Sequence, residues 1–362
     1  MSAIDPAALP DDSPATRALL LARVRMMTSA ADPWLRVLGL GWITPLWRLL
    51  IGEDPRSQLA QLWRLAIVPM MSIAAFLLLW ATLAPMVQTS LGAIPGPAQV
   101  WDQAVVLNQS AIDEGVKRDT FYADQATKNA ERVAAGKPDE VKNHIYTGKP
   151  TFYRQILTSI ETVFTGFVLA TVVAVPLGIV AGLSPTANAA INPLVQVFKP
   201  VSPLAWLPIV TMVVTALSTA DGGLAKSFVI SAVTVTLCSL WPTLINTALG
   251  VASIDKDLVN VSKVLKLSTW TKITRLVLPS ALPLIFTGLR LSLGVGWMVL
   301  IAAEMLAQNP GLGKFVWDEF QNGSEDSLAR IMVAVLTIGL IGFLLDRVMF
   351  ALQQAFTFST NR

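Results

Sequence analysis

The chain has 362 residues, of which 53% are hydrophobic and 14% charged, with 27 basic against 24 acidic side chains and a net charge of +3. Soluble domains carry about 25% charged residues, so a water-soluble globule, a disordered tail, a coiled coil and a collagen-like fibre are excluded, leaving an all-α integral membrane protein. One cysteine (Cys238) and one histidine (His144) exclude an internal disulfide, a Cys/His zinc site and a Cys–His nucleophile pair, and so small a charge excludes a nucleic-acid surface.

The first residues, with Asp5, Asp11 and Asp12, lack the basic-then-apolar order of a cleaved signal peptide. Residues 34–51 (WLRVLGLGWITPLWRLLI) are apolar but hold Arg36, Arg48 and Pro45. Region 1–64 therefore reads as cytoplasmic or interfacial. It would hold a helix in the membrane interface, with Trp34, Trp42 and Trp47 at headgroup depth; a seventh span is the alternative. Residues 65–88 carry no charge, and at ~1.5 Å per residue they reach ~36 Å, enough to cross ~30 Å of hydrocarbon. Segment 89–155 holds eight basic and eight acidic residues and reads as a solvated insertion, with a helix near 109–135.

The core, 156–352, begins with an uncharged stretch, 162–198, too long for one helix; it breaks at GLSPTANAAINP (182–193). Spans are expected near 158–181, 194–217, 227–250, 284–306 and 329–352, six in all with 65–88. Pro200, Pro203 and Pro208 interrupt the third, and Pro242 kinks the fourth. Glu161 and Glu304 read as the acidic residues well inside the spans. Connection 251–283 holds Lys256, Lys263, Lys266, Lys272 and Arg275, whereas 218–226 and 307–328 hold only Lys226 and Lys314 as basic residues. The basic connection is expected in the cytoplasm, with both termini, including the tail 353–362, on the same side.

No nucleotide-binding loop is present: Gly136-Lys137, Gly148-Lys149 and Gly313-Lys314 precede Pro, Pro and Phe, without the upstream glycine spacing that cradles phosphates. ATP-driven work would fall to a separate chain, and paired catalytic carboxylates are not found in the spans. In 251–283, Asp255 is placed to cap a short helix on which Leu258, Val261 and Leu265 form one apolar stripe. Ser268 is placed to cap a second short helix, 269–278, ended by Pro279. The stripe either lies on the membrane or the protein's own core, or docks a soluble partner.

LPSALPLIFTGLRLSLGVGWMVLIAAEMLAQNPGLG (278–313), with the connection before it, resembles the permease subunits of type I ATP-binding-cassette importers in the nitrate, taurine and sulfonate branch. FKPVSPLAWLPI (198–209) is most similar to the nitrate members, with bicarbonate and cyanate members close behind. The resemblance covers about 156–352, the first span and IPGPAQV (94–100). It implies the type I importer permease fold, with about six transmembrane helices. It also implies ATPase subunits that bind ATP, a periplasmic substrate-binding protein, a second permease copy and a place in the bacterial inner membrane. This chain would itself carry no cofactor and no catalytic site. The family's docking loop usually reads Glu-Ala-Ala, three residues, then Gly; here Asn260, Val261 and Ser262 are followed by Lys266. The missing glycine implies a turn built differently. Leu258, Val261 and Leu265 would make the ATPase contact, with Lys266 and Leu267 at the turn.

A small anion needs transient positive potential without a deep well. Lys199 and Ser202 at the broken third span, Arg290 and Ser292 in the fifth, and Gly294 and Gly296 beside them are the candidate path. Lys199 and Arg290 snorkelling to the interface is the alternative. Glu304 has the wrong sign for attracting anions and would pair or gate near the outer face. Trp206 and Trp297 read as packing or interface anchors. The insertion is either a spacer or a ledge for the binding protein. The function implied is import of nitrate or nitrite by alternating access. Taurine, sulfonates, bicarbonate and cyanate are the alternatives within the family. A secondary carrier would need midplane coupling-ion ligands that these spans barely offer, and a non-transporting scaffold would not need a basic two-helix connection.

Overall fold

The computed structural model describes residues 32, 35, 39–50, 54–89, 92–217, 225–324 and 326–360. The expectations for Asp5, Asp11, Asp12, Trp34 and Arg36, and for most of connection 218–226, lie outside them. Two compact units divide the chain, Met1–Trp80 and Ala81–Arg362.

In the first unit, α1 (Ile43–Leu50) turns Leu46, Trp47 and Leu50 outward. Helix α2 (Pro55–Met86) follows. It begins ten residues before the expected 65–88 span, because Pro55 sits in the first turn, where its missing N–H costs nothing, and the helix formers after it continue without a break. At Trp63–Ile67 the helix widens into a π-turn closed by Val68 N–H to Trp63 O, two residues before Pro69. The wide turn carries the preceding carbonyls away from the pyrrolidine ring, so the proline does not stop the helix.

The second unit opens with a two-residue antiparallel ladder pairing Gln88 with Ala93 and Thr89 with Gly92. Helix α3 (Pro97–Ala134) runs 38 residues, well beyond the expected 109–135. Its start is fixed by Pro97 in the first turn and by Gly96 N–H donating to Gln99 Oε1 at 2.9 Å. The chain then returns along α3. His144 N–H donates to Gln125 Oε1 at 2.8 Å, and Tyr146 Oη donates to Glu114 Oε1 at 2.7 Å. The insertion is a tied helix and strap. His144 itself is exposed.

Helix α4 (Phe152–Leu183) is a full span, with Thr151 Oγ1 accepting Arg154 N–H at its start. It ends at Ser184, and α5 (Pro185–Phe198) starts at once. The expected break over 182–193 is therefore a single residue: Pro185 occupies the first helical position, and Pro193 is accommodated inside the helix. The true break is at 199–202, where Pro200 and Pro203 withhold two N–H groups, and α6 (Pro203–Leu217) leaves at 102° to α5. Among the described residues five helices are each long and apolar enough to cross a membrane; a sixth span exists only if the bent α5–α6 pair counts as one. The expected third span over 194–217 is corrected accordingly.

Helix α7 (Lys226–Ala252) matches its expected span. After it, α8 (Lys256–Val264) lies in the connection, and α9 (Thr269–Ala307) is continuous for 39 residues. The expected stop at Pro279 does not occur. Ser268 does cap, accepting Thr271 N–H at 3.2 Å. The helix then passes through a second π-turn, Ile273–Val277, again two residues before the proline. The stretch 307–328, read as a plain connection, contains α10 (Leu312–Asn322). Helix α11 (Ser327–Thr360) is the last span.

The core lies between α4, α7 and α9: Val163 and Phe167, Val235, then Leu293, Trp297 and Leu300. Glycine sets the spacing where backbones approach. A Cβ at Gly178 would fall 2.6 Å from Thr247 Cβ, and one at Gly296 would fall 2.6 Å from Ser239 Oγ.

Candidate functional site

The connection between α7 and α9 is built from its caps inward. Asp255 Oδ1 accepts Asp257 N–H at 2.9 Å and starts α8. Ser262 turns inward, its hydroxyl donating to Val259 O at 2.6 Å. Beside it Leu258 (46% exposed), Val261 and Leu265 face solvent, with Val264 (81%) and Trp270 (75%) further along. Asn260 and, in the turn, Leu267 are exposed as well. Lys266 takes φ +47°, Leu267 N–H reaches Ser262 O at 3.1 Å, and Lys266 N–H reaches Lys263 O at 3.0 Å. These two bonds are the left-handed helix stop that glycine usually supplies. The turn without its glycine is thus not rebuilt; a lysine holds the glycine conformation, which costs an L-residue about 1–2 kcal/mol. Of the eight residues singled out here, seven are exposed on this short connection and Ser262 is buried beneath them.

The expected path residues are not gathered in the same way. Lys199 ends α5 and is exposed; Ser202 Oγ caps α6, accepting Leu204 N–H at 3.3 Å. Arg290 faces α11, where its Nη2 donates to Asp346 Oδ2 at 2.9 Å and its guanidinium lies 5.2 Å from the Phe350 ring centroid. Asp346, inside the last span, was overlooked in reading Glu161 and Glu304 as the acidic residues of the spans. An arginine alone in one apolar run and the Asp346-Arg347 pair in another were the available signal. Arg290 also borders a cavity of about 230 Å³ with Gly294, Trp297, Gly342 and Asp346.

Ser292 faces the other way. It is fully buried, its hydroxyl donates to Ser239 O, and it meets Thr243 Oγ1 at 2.7 Å. Glu304, ~18 Å further along the axis at 1.5 Å per residue, is also fully buried. Its carboxylate accepts Ser159 O–H and, at 3.0 Å, Gly313 N–H. Leu312 N–H donates to Ser159 Oγ at 2.8 Å, so Ser159 and Glu304 together cap α10 from two other helices. No cation pairs with Glu304 among the described residues, and both Ser292 and Glu304 are covered by protein on all sides. Trp297 is a packing residue, its Nε1 donating to Ile338 O at 3.0 Å.

Residues 174–358 match the family described as binding-protein-dependent transport system inner membrane component. Among curated proteins, the chain is similar to the nitrate import permease protein NrtB of Synechococcus elongatus. That relative is 38% identical over 193 residues, which cover 53% of this chain and 66% of the relative. NrtB of Leptolyngbya laminosa is 36% identical over 211 residues, 58% of this chain and 71% of the relative. The bicarbonate transport system permease protein CmpB of Synechocystis sp. is 39% identical over 201 residues, 55% and 67%. The chain thus spans about two thirds of the length of the curated relatives it matches. Among solved structures it is similar to the MetNI methionine ABC transporter in an inward-facing form, at TM-score 0.49 and 15% identity over 58% of this chain and all of that one. A likeness at that score carries no argument.

Proposed function

Since this chain belongs to the family of binding-protein-dependent transport system inner membrane components, we propose that it is the permease subunit of an ATP-driven importer for a small inorganic anion, nitrate or nitrite. The observation that carries the proposal is the exposed apolar face of α8 in a basic connection. Large apolar side chains held in water by a rigid turn are stabilised only by a partner that covers them, at roughly 25 cal/mol per Å². The chain has no phosphate-cradling loop of its own, so the partner is the ATPase.

In this reading the bent α5–α6 pair counts as one span, the connection 253–268 lies in the cytoplasm, α3 and α10 lie outside, and both termini are on the cytoplasmic side of the bacterial inner membrane. Two permease copies work with two ATPase subunits, and a periplasmic binding protein delivers the anion. Closure of the ATPase pair pushes α8. Helix α9 follows Ser268 without interruption for 39 residues, ~58 Å at 1.5 Å per residue, so the push arrives at Glu304, Ser159 and the start of α10. The Glu304 carboxylate then moves that outer cap with α9, which opens and closes the outer side. Lys199, Ser202 and Arg290 supply the polar lining. The Arg290 charge, balanced by Asp346, attracts an anion without a well too deep to leave.

Bicarbonate is the second reading, supported by CmpB at 39% identity beside NrtB at 36–38%. Uptake in proteoliposomes carrying the permease, its ATPase and the binding protein tests both. ATP-dependent accumulation of nitrate, with bicarbonate not competing, is expected; hydrolysis stimulated only by bicarbonate-loaded binding protein would replace nitrate with bicarbonate.

A further inference from the structure

Three aromatic rings from three helices meet at the α5–α6 break. Phe198, the last residue of α5, has its ring centroid 5.7 Å from that of Trp206 on α6. The ring centroid of Trp241 on α7 lies 6.2 Å from that of Phe198, the planes within 11°. The indole Nε1 atoms of both tryptophans are buried and have no hydrogen-bond partner. Buried indole N–H groups usually find an acceptor, as that of Trp297 does, and leaving one unmade costs about 1–3 kcal/mol. Two orphan donors packed on one phenyl ring are a shared requirement for an acceptor.

Nothing in the cluster itself can accept, because an indole nitrogen only donates. The adjoining break adds donors of the same sign. Ser202 Oγ already accepts Leu204 N–H, so its hydroxyl proton remains free to donate. Lys199 is exposed and has no ion pair among the described residues. An inventory of N–H and O–H donors with one cation, and no carboxylate, fits a ligand that is all acceptor: a small anion with several oxygens. It does not fit a cation or the ammonium end of an amino acid.

We propose that Trp206 and Trp241, both packed on Phe198, form an anion-contact cluster at the α5–α6 break, where the permeating oxyanion exchanges water for indole N–H bonds, one after the other, before passing Lys199. The proposal rests on the import of a small anion argued above. Neutral donors suit the task, since they hold an anion more weakly than a fixed charge and let it go. Both Nε1 atoms are sealed in this structure, so the contact forms when the 102° break between α5 and α6 widens.

Trp206→Phe and Trp241→Phe keep a ring and remove the N–H. Replacing either tryptophan with benzothienylalanine, the same bicycle with sulfur in place of N–H, controls for lost packing. The thermal midpoint of the full-length permease in nanodiscs, with and without nitrate, bicarbonate or chloride, is the readout. The expected result is an oxyanion-dependent rise in the wild type. Its half-saturating concentration should be about tenfold higher in each single variant, and the rise should be gone in the double, with unliganded benzothienylalanine variants as stable as wild type. A double variant that keeps the wild-type rise overturns the proposal, and so does a wild type that responds to no oxyanion. A rise with bicarbonate alone, lost in the double variant, keeps the cluster and removes nitrate as the substrate.

Discussion

Ser159 and Glu304 lie 145 positions apart, yet Ser159 Oγ stands 2.9 and 2.8 Å from the two carboxylate oxygens, with neither residue exposed. The serine has one proton to donate and spends its lone pair on Leu312 N–H, so one hydroxyl ties α4 to α9 and α10. Ser159→Ala strips the buried Leu312 N–H of its acceptor and the Glu304 carboxylate of one of its donors, and should cost about 1–3 kcal/mol. Thr165→Ala, whose hydroxyl only bonds back to Glu161 O on its own exposed helix face, should change the thermal midpoint little. Equal midpoints for the two variants would remove the tie. Gly311→Ala should be worse than Ser159→Ala, because its Cβ would overlap the Glu304 carboxylate.

Arg290 and Asp346 form the second tie, from α9 to α11, with side chains 37% and 36% exposed. Either Arg290→Met or Asp346→Leu strands a charge at the edge of hydrocarbon and should lower folded yield. The double variant should recover most of it, with a coupling of about 1–2 kcal/mol after allowing for screening of a half-exposed pair. Additive losses in the folded fraction would show the pair to be incidental.

Lys266 sits at φ +47° in a stop that glycine makes without strain. Lys266→Gly should therefore stabilise the α8 turn by up to about 1 kcal/mol and slow amide exchange over 256–267. Faster exchange in the variant would mean the lysine side chain, rather than the backbone conformation, secures the turn.

The strap along α3 should be pH-sensitive at both extremes. The Tyr146 hydroxyl holds the Glu114 carboxyl below its ordinary value of 4.5, and the Glu114 carboxylate raises the Tyr146 phenol above 10.0. The bond's contribution is complete above pH 4.5 and is lost as pH falls through the lowered Glu114 value. It is complete below pH 10.0 and is lost as pH rises through the raised Tyr146 value. Proteolysis of 137–150 should rise in acid in the wild type, and Tyr146→Phe should abolish that rise; an unchanged acid response in the variant would place the sensitivity elsewhere.

The spans at 158–181, 227–250, 284–306 and 329–352 were legible because apolar runs between charges leave little choice in a membrane, and the Asp255 and Ser268 caps because they are local bonds. The break at Pro200 and Pro203 was legible too, but the expected interruption at Pro208 was not borne out, since that proline lies inside α6. Pro193 and Pro279 stay inside helices, whereas Pro200 follows the end of α5 and Pro203 starts α6, and only the π-turn before Pro279 explains that case. The tertiary ties could not be read at all. Ser292 and Glu304 look like pore residues in a one-dimensional text, because nothing local says that Ser239, Thr243, Ser159 and Gly313 will surround them. Trp241 gave no signal, since an indole in an apolar run reads as packing until its N–H is seen without a partner.

Everything turns on α8 facing the cytoplasm and receiving an ATPase. Val264→Cys in a Cys238→Ser background places one thiol at the most exposed apolar position of α8. In sealed vesicles of known orientation this thiol should react with a membrane-impermeant maleimide only from the cytoplasmic face. In the assembled complex it should be protected by the ATPase subunits. Reaction from the periplasmic face, or reactivity unchanged by the ATPase, would contradict the account.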